Sequence, residues 1–257
     1  LTSWTGVTPA EDIYWNCVVY GNGKFVAVAG NGTNQITYAS DSNLNSWSTA
    51  SSAENNDWRG LCYGGGKFVA VARDGTNRVM YASDSDVTSW TAVSAPQANE
   101  WYGVTYGDGY YVATAKTGTN RVMYSTDASS WTLISASNIP HAGEWTNIIF
   151  ADGYFVAINA QNTSEGTTTG TAVMWAKSSD LNTWTLSSVG EAGQYQGIGY
   201  KDGRFVVCTW DTTNKLAYSD ISNPNEWIDI SLSKVKSVIA KSPTFNLGSI
   251  GPYIELN

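Results

Sequence analysis

The stretch from Trp58 to Trp90, WRGLCYGGGKFVAVARDGTNRVMYASDSDVTSW, is written again with small changes from Trp101 to Trp131, WYGVTYGDGYYVATAKTGTNRVMYSTDASSW. Aligned on itself, the chain places Trp15, Trp58, Trp101, Trp145 and Tyr195 in one column, at spacings of 43, 43, 44 and 50 residues. A repeat of that length is one supersecondary unit that cannot bury its own faces alone, so neighbouring units must stack.

Each unit reads as four short strands. In the second they run roughly over 58–63, 67–73, 78–83 and 89–93, rich in Val, Tyr, Phe and Trp and divided by turn residues. The first turns are Gly21-Asn22-Gly23, Gly64-Gly65-Gly66, Gly107-Asp108-Gly109, Asp152-Gly153 and Asp202-Gly203, where glycine serves a tight hairpin with positive φ and not a phosphate-binding loop. Four-stranded units at this period predict the blades of an all-β propeller. The opening Leu1-Thr2-Ser3-Trp4-Thr5 matches a fourth strand, and 236–240, 244–250 and 252–255 match a first, second and third. The expectation is a single six-bladed domain over 1–257, with blades at 9–50, 51–93, 94–135, 136–188, 189–231, and 232–257 completed by 1–8. Closing the last blade with the N-terminal strand leaves no open edge. A five-bladed propeller with a C-terminal extension is the alternative.

The 257 residues suffice for one large all-β domain. No apolar run approaches the roughly 18–20 residues that span a bilayer, so membrane insertion is not expected. LTSWTGVTPAED has neither a basic end nor an apolar core and does not read as a secretion signal. With 22 acidic residues against 14 Lys and Arg the net charge is -8, and no basic cluster could hold a phosphate backbone, which argues against nucleic acid. Cys17, Cys62 and Cys208 lie far apart in apolar strand patterns, as small hydrophobes, and suggest no zinc or disulfide framework.

The turns before the fourth strands read SDSNLNSW (40–47), SDSDVTSW (83–90), STDASSW (125–131), SSDLNTW (178–184) and SDISNPNEW (219–227). They resemble the Asp-box of sialidases and related propellers, a Ser-x-Asp-x-Gly-x-x-Trp turn, through Asp41 and Trp47, Asp86 and Trp90, Asp127 and Trp131, Asp180 and Trp184, and Asp220 and Trp227. The central Gly is missing, and Asn43 stands in the acidic place of the first turn. The resemblance implies a structural role: Ser and Asp cap backbone groups, and Trp fills the blade. Local side-chain hydrogen bonding leads to the same expectation. An acid repeated around a ring does not form one converging site, so none is read as catalytic. The G-x-G-K-F-V-A-V … Y-x-S-x-D … W style also resembles propeller domains of bacteriophage tail fibres, receptor-binding proteins and bacterial surface proteins. That resemblance implies host attachment, with location on a virion or a cell surface.

Enzymatic activity is not expected. Five arginines, two of them (Arg78 and Arg121) in one repeat column, do not suggest the asymmetric clamp of a sialidase. Asp57, Glu100 and Glu144 precede the column tryptophans and keep a glycosidase, which needs two converging carboxylates, as the third option. The single histidine, His141, supports neither a triad nor a His-based metal site, and no cofactor or metal is expected. A carbohydrate site wants an aromatic face beside amide, carboxylate or guanidinium groups. Trp15 with Asn34, Trp58 with Asn77 and Arg78, Trp101 with Asn120 and Arg121, and Trp145 are the candidates. The insertion over 159–170 and Trp175 make the fourth blade the place for asymmetry. The first expectation is therefore a non-catalytic domain recognising a bacterial surface glycan or protein receptor, joined to other virion or adhesin domains. The alternative is a structural scaffold in such an assembly. The aromatic column fits packing between blades at least as well as it fits sugar stacking.

Overall fold

The computed structural model describes residues 5–8, 11–160, 171–189, 194–209 and 216–230. They form five antiparallel sheets of four strands, each in sequence order from first strand to fourth. Sheet 1 comprises Trp15–Gly21, Lys24–Ala29, Ile36–Ser40 and Ser48–Ala50; sheet 2 Trp58–Gly64, Lys67–Ala72, Val79–Ser83 and Asp86–Val93. Sheet 3 comprises Trp101–Gly107, Tyr110–Ala115, Val122–Ser125 and Thr132–Leu133. Sheet 4 comprises Trp145–Ala151, Tyr154–Asn159, Thr171–Lys177 and Asp180–Ser188; sheet 5 Tyr195–Lys201, Arg204–Thr209, Leu216–Asp220 and Trp227–Ile230. Two compact units result, Leu1–Ile134 with sheets 1 to 3 and Ser135–Asn257 with sheets 4 and 5.

The six-bladed expectation is corrected to five sheets, none of them closed on itself, in agreement with the five-unit alternative. Residues 232–257 and 1–4, which were to supply most of the sixth blade, lie outside the described residues. Thr5 to Thr8 are exposed and belong to no strand. The sixth unit rests on the likeness of 236–240, 244–250 and 252–255 to the first three strands of a repeat and of Leu1 to Thr5 to a fourth. The five observed sheets rest on signals within each repeat.

Those signals are local. The first two strands of every sheet join through two residues with positive φ: Asn22-Gly23, Gly65-Gly66, Asp108-Gly109, Asp152-Gly153 and Asp202-Gly203. This geometry matches the right-handed twist of the strands, and Asn or Asp followed by Gly tolerates it best. A register shift follows the column aromatic in each first strand, as between Trp15 and Cys17 and between Trp58 and Gly60. The bulge re-aims the ring away from the simple alternation of the strand. The fourth strand of sheet 2 begins at Asp86, earlier than expected, because Ser83 pairs with Asp86 across a turn of only two residues.

Sheets 1 and 2 bury Val26, Val28, Phe68, Ala70 and Met80 between them; sheets 2 and 3 bury Val69, Val71, Tyr111, Ala113 and Met123; sheets 4 and 5 bury Val156, Ile158, Phe205 and Val207. Glycine sets the closeness of the layers. A Cβ on Gly21 would lie 2.2 Å from the Tyr63 ring, and one on Gly64 2.1 Å from the Tyr106 ring. Polar ties cross the same interfaces: Lys24 Nζ donates to the Asp84 carbonyl at 2.9 Å, Lys67 Nζ to the Asp127 carbonyl at 2.8 Å, and the Tyr111 hydroxyl to the Gly64 carbonyl at 2.6 Å. The three thiols are free, and burial pushes that of Cys62 far up.

Candidate functional site

The column tryptophans are the first candidates, and the structure places three of them in the core. Trp58, Trp101 and Trp145 are each 0 % exposed. Each indole N–H donates to the backbone carbonyl four residues earlier: Trp58 to Glu54 at 3.1 Å, Trp101 to Gln97 at 3.1 Å and Trp145 to His141 at 3.2 Å. A buried indole with its only donor already bonded offers no face to a sugar. Trp15 differs. It is half-buried, and its Nε1 has no hydrogen-bond partner among the described residues.

The loop residues are also engaged internally. Asn77 donates from its backbone N–H to Glu54 Oε2 at 3.0 Å and from Nδ2 to Glu54 Oε1, and accepts from Ser94. Asn120 donates its N–H to Gln97 Oε1 at 3.1 Å, and Asn34 donates from Nδ2 to Glu11. Arg78 donates to the carbonyls of Gly75 and Arg73 in its own loop and of Ala98 and Asn99 in the approach to sheet 3, at 2.7–3.1 Å. Arg121 repeats the loop half of this arrangement, donating to Gly118 and Lys116. These guanidinium groups are staples in the repeat.

Sequence reasoning missed the residue that organises these loops. Glu54 and Gln97 stand four positions before the column tryptophan, and Asn56 and Asn99 two before it, an E/Q-x-N-x-W signal visible in both repeats. The Asn side chains donate to the Asn77 and Asn120 carbonyls and fill the space above Gly75 and Gly118, where a Cβ would meet them at 1.9 and 1.8 Å. The fourth repeat has Gly143 at the Asn place, and the buried Asn159 side chain lies against it and accepts the Glu144 N–H at 2.9 Å. Arg78→Ala is accordingly expected to lower stability by about 1 kcal/mol, since four loop carbonyls, mostly at the exposed surface, lose a shared charged donor. Arg78→Lys should recover less than half, because an ammonium cannot span the same carbonyls. Urea unfolding of the two variants checks both values.

The turns before the fourth strands behave as local caps. Asp127 Oδ1 accepts the N–H groups of Ser129 and Ser130, both at 2.8 Å, and Asp86, Asp180 and Asp220 accept from the residue two positions on. In the first turn that place belongs to Asn43, whereas Asp41 accepts from the Tyr20 hydroxyl. The indoles of Trp47, Trp90, Trp131, Trp184 and Trp227 each donate to the carbonyl three residues back. The backbone N–H groups of Ser130 and Ser129 hold the Asp127 carboxyl down at about 2, against an ordinary 3.8. A depressed folded-state pKa stabilises above the unfolded value and is lost as pH falls through the folded one. The melting temperature should thus fall between about pH 4 and pH 2 more steeply in the wild type than in Asp127→Asn.

The fourth-repeat candidates divide. Of the insertion, 161–170 lie outside the described residues, and Trp175 Nε1 donates to Ser187 at 3.1 Å and to Asn225 at 3.2 Å. The His141 ring stands edge-on to Trp145 at 6.4 Å. Among the described residues no cluster of His, Cys, Asp and Glu is placed to hold a metal ion, and no helix is long and apolar enough to cross a membrane.

A concave site borders sheets 1 and 2. A cavity of about 520 Å³ is lined by Ile13, Tyr14, Trp15, Asn16, Gly30, Asp57 and Arg59. Beside it the nearly buried Asp57 carboxylate pairs with Arg59 and Arg73, each at 2.7 Å, and accepts from Asn16 at 3.3 Å. The Tyr102 side chain first and Asp57 second hold Arg73 above its ordinary pKa, and Arg59 lies 5.5 Å from the centre of the Tyr102 ring. The acid is held between two guanidinium groups, an arrangement that fixes the shape of the site and presents Arg59.

Known proteins resemble this chain in fold. The computationally designed Ika8 protein matches with a TM-score of 0.63 at 16% identity, over 87% of this chain and 64% of that one. YCF48 bound to D1 peptide matches at 0.60 and 15%, over 84% and 66%, and a nidogen/laminin complex at 0.56 and 11%, over 82% and 77%. The chain thus spans less than two thirds of the length of the first two. At these identities the likeness shows the all-β fold of packed four-stranded sheets. No family model and no curated protein matches the chain.

Proposed function

We propose that this chain is a non-catalytic scaffold: a propeller-type stack of repeats that holds neighbouring polypeptide in a larger assembly of the virion or cell-surface kind. The observation that carries the reading is the internal use of the repeated recognition candidates. Trp58, Trp101 and Trp145 are core, and Asn77, Arg78, Asn120 and Arg121 tie loops together. The structural likeness to YCF48, solved with a bound D1 peptide, agrees with a scaffold that meets other polypeptides.

Glycan recognition is the second reading, favoured by the cavity where Tyr14 and Trp15 adjoin Asn16 and Arg59. A panel of bacterial surface polysaccharides separates the two. The scaffold reading expects no saturable response, together with a fixed stoichiometry of the protein in its purified assembly. Saturable binding that Tyr14→Ala abolishes and Asn77→Ala leaves intact would replace the scaffold with a lectin at this cavity.

A further inference from the structure

The first repeat departs from the next two at one end of its sheet. Gly30 donates its N–H to the Tyr14 carbonyl at 3.0 Å, as Arg73 does to Asp57 at 3.1 Å and Lys116 to Glu100 at 2.8 Å. Tyr14 and Gly30 therefore stand where the later repeats carry an acid and a cation. The cavity of about 520 Å³ lies at this exchange, and all of its lining residues belong to the first unit and are described. A Cβ on Gly30 would lie 2.3 Å from Asp57 Oδ1, so glycine admits the carboxylate that precedes sheet 2. Among the described residues three buried side-chain polar atoms have no hydrogen-bond partner, and two of them, Trp15 Nε1 and Arg59 Nε, belong to this lining. Both are N–H donors. The indoles of Trp58, Trp101 and Trp145 each have a carbonyl, and the Trp15 indole, in the same column, has none. Buried donors in native proteins are almost always bonded, so two in one cavity mark the place of an acceptor.

We propose that this cavity seats a carboxylate group, that of an acidic side chain on the polypeptide the scaffold holds, with its oxygens accepting from Trp15 Nε1 and Arg59 Nε. The inference rests on the scaffold reading and names the chemistry of one contact. Charge agrees with it. Arg59 and Arg73 each pair with Asp57 at 2.7 Å, two cations against one acid, which leaves a positive charge beside the cavity in a chain of net charge -8. A carboxylate accepts hydrogen bonds without giving any, and both orphan groups give. A sugar matches less well. Its hydroxyls also donate, and Asp57, the carboxylate in the lining, is already engaged by Arg59, Arg73 and Asn16. The Tyr14 side chain, on a residue 78 % exposed, and Ile13 offer apolar surface to the stem of the acidic side chain.

The test follows the indole N–H signal of Trp15 by NMR in the isotope-labelled full chain, the signal being identified by its loss in Trp15→Phe. The protein is titrated with acetyl-glutamyl-methylamide, with its glutamine counterpart and with methyl glucuronide. The expected result is a saturable shift of that signal with the glutamate compound and none with the glutamine one. Arg59→Lys keeps the charge but loses the Nε–H donor, and should weaken binding on the order of tenfold. Trp15→Phe, followed through the Arg59 Nε–H signal, should weaken it similarly without moving the melting temperature, since the indole N–H has no partner to lose. No saturable shift with any compound, or equal shifts with the glutamate and glutamine compounds, would overturn the proposal. Tighter binding of the glucuronide would overturn it too, and would replace the scaffold with a lectin for acidic sugars. Lysine crosslinking of the purified assembly separates the two failures: neighbours crosslinked around a silent cavity keep the scaffold and discard the seat, and no neighbours discard both.

Discussion

Trp58→Ala is expected to destabilise the protein by about 3–5 kcal/mol, the usual consequence of removing a fully buried indole. The ring is 0 % exposed and belongs to the core between sheets 1 and 2, against Leu61, Phe68 and Ala70. Its removal leaves a cavity that strands fixed by ladder hydrogen bonds on both sides cannot collapse to fill. It also strands the Glu54 carbonyl, whose residue organises the loop at Asn77. Trp15→Ala should cost clearly less, because that ring is half-buried and its N–H already lacks a partner. Denaturant unfolding of the two variants reads the difference. Equal losses would place Trp15 in the core as firmly as Trp58, and a Trp58→Ala protein of wild-type stability would return the column to the sugar-stacking alternative. A ligand assay alone cannot make that distinction, because a destabilised protein loses every activity together.

Gly64→Val is the second large effect, expected at about 3 kcal/mol as an overpacked interface. A Cβ there meets Cδ1, Cγ and Cβ of Tyr106 at 2.1, 2.2 and 2.7 Å, so the obstacle includes the fixed root of the ring as well as its plane. Tyr106 cannot swing aside without leaving Tyr111, whose ring centre is 4.7 Å away and whose hydroxyl bonds the Gly64 carbonyl. The strain should be shared and not additive. Tyr106→Ala alone opens a cavity, and the double variant Gly64→Val with Tyr106→Ala is expected to be more stable than the sum of the single losses by at least 1 kcal/mol. Strict additivity would show that the glycine is present for some reason other than the approach of the neighbouring sheet.

The two variants show where the reading from sequence reached its limit. The repeat pattern assigns the glycines at 21, 64 and 107 to hairpins, but the positive φ values belong to the residues after them, such as Asn22-Gly23 and Gly65-Gly66. Gly21 and Gly64 serve the next sheet's tyrosine. That requirement acts between residues about forty positions apart and leaves no local trace beyond the repeat itself. Likewise Trp58, Asn77 and Arg78 have the chemistry of a carbohydrate site, and only their hydrogen-bond partners reveal them as core, loop brace and staple. The E/Q-x-N-x-W pattern was legible in the chain, since Glu54 and Gln97 recur in register. Its meaning was not, because both acceptors reach loops 23 residues away.

By itself the sequence determined the repeat, the four-stranded unit, the tight glycine-bearing hairpins and the capped turns before each fourth strand. Each depends on φ preference, alternation or a hydrogen bond within a few residues, and these energies are present in any stretch that carries the pattern. The tertiary structure decided how many sheets the described residues make, which aromatic rings are hidden and which apolar side chains stay exposed. Repeated units are equivalent in sequence, but burial is set by what lies on the far side of each face. Leu61 and Val18 occupy the same register position, yet Leu61 is 4 % exposed in the core between sheets 1 and 2, whereas Val18 is 42 % exposed.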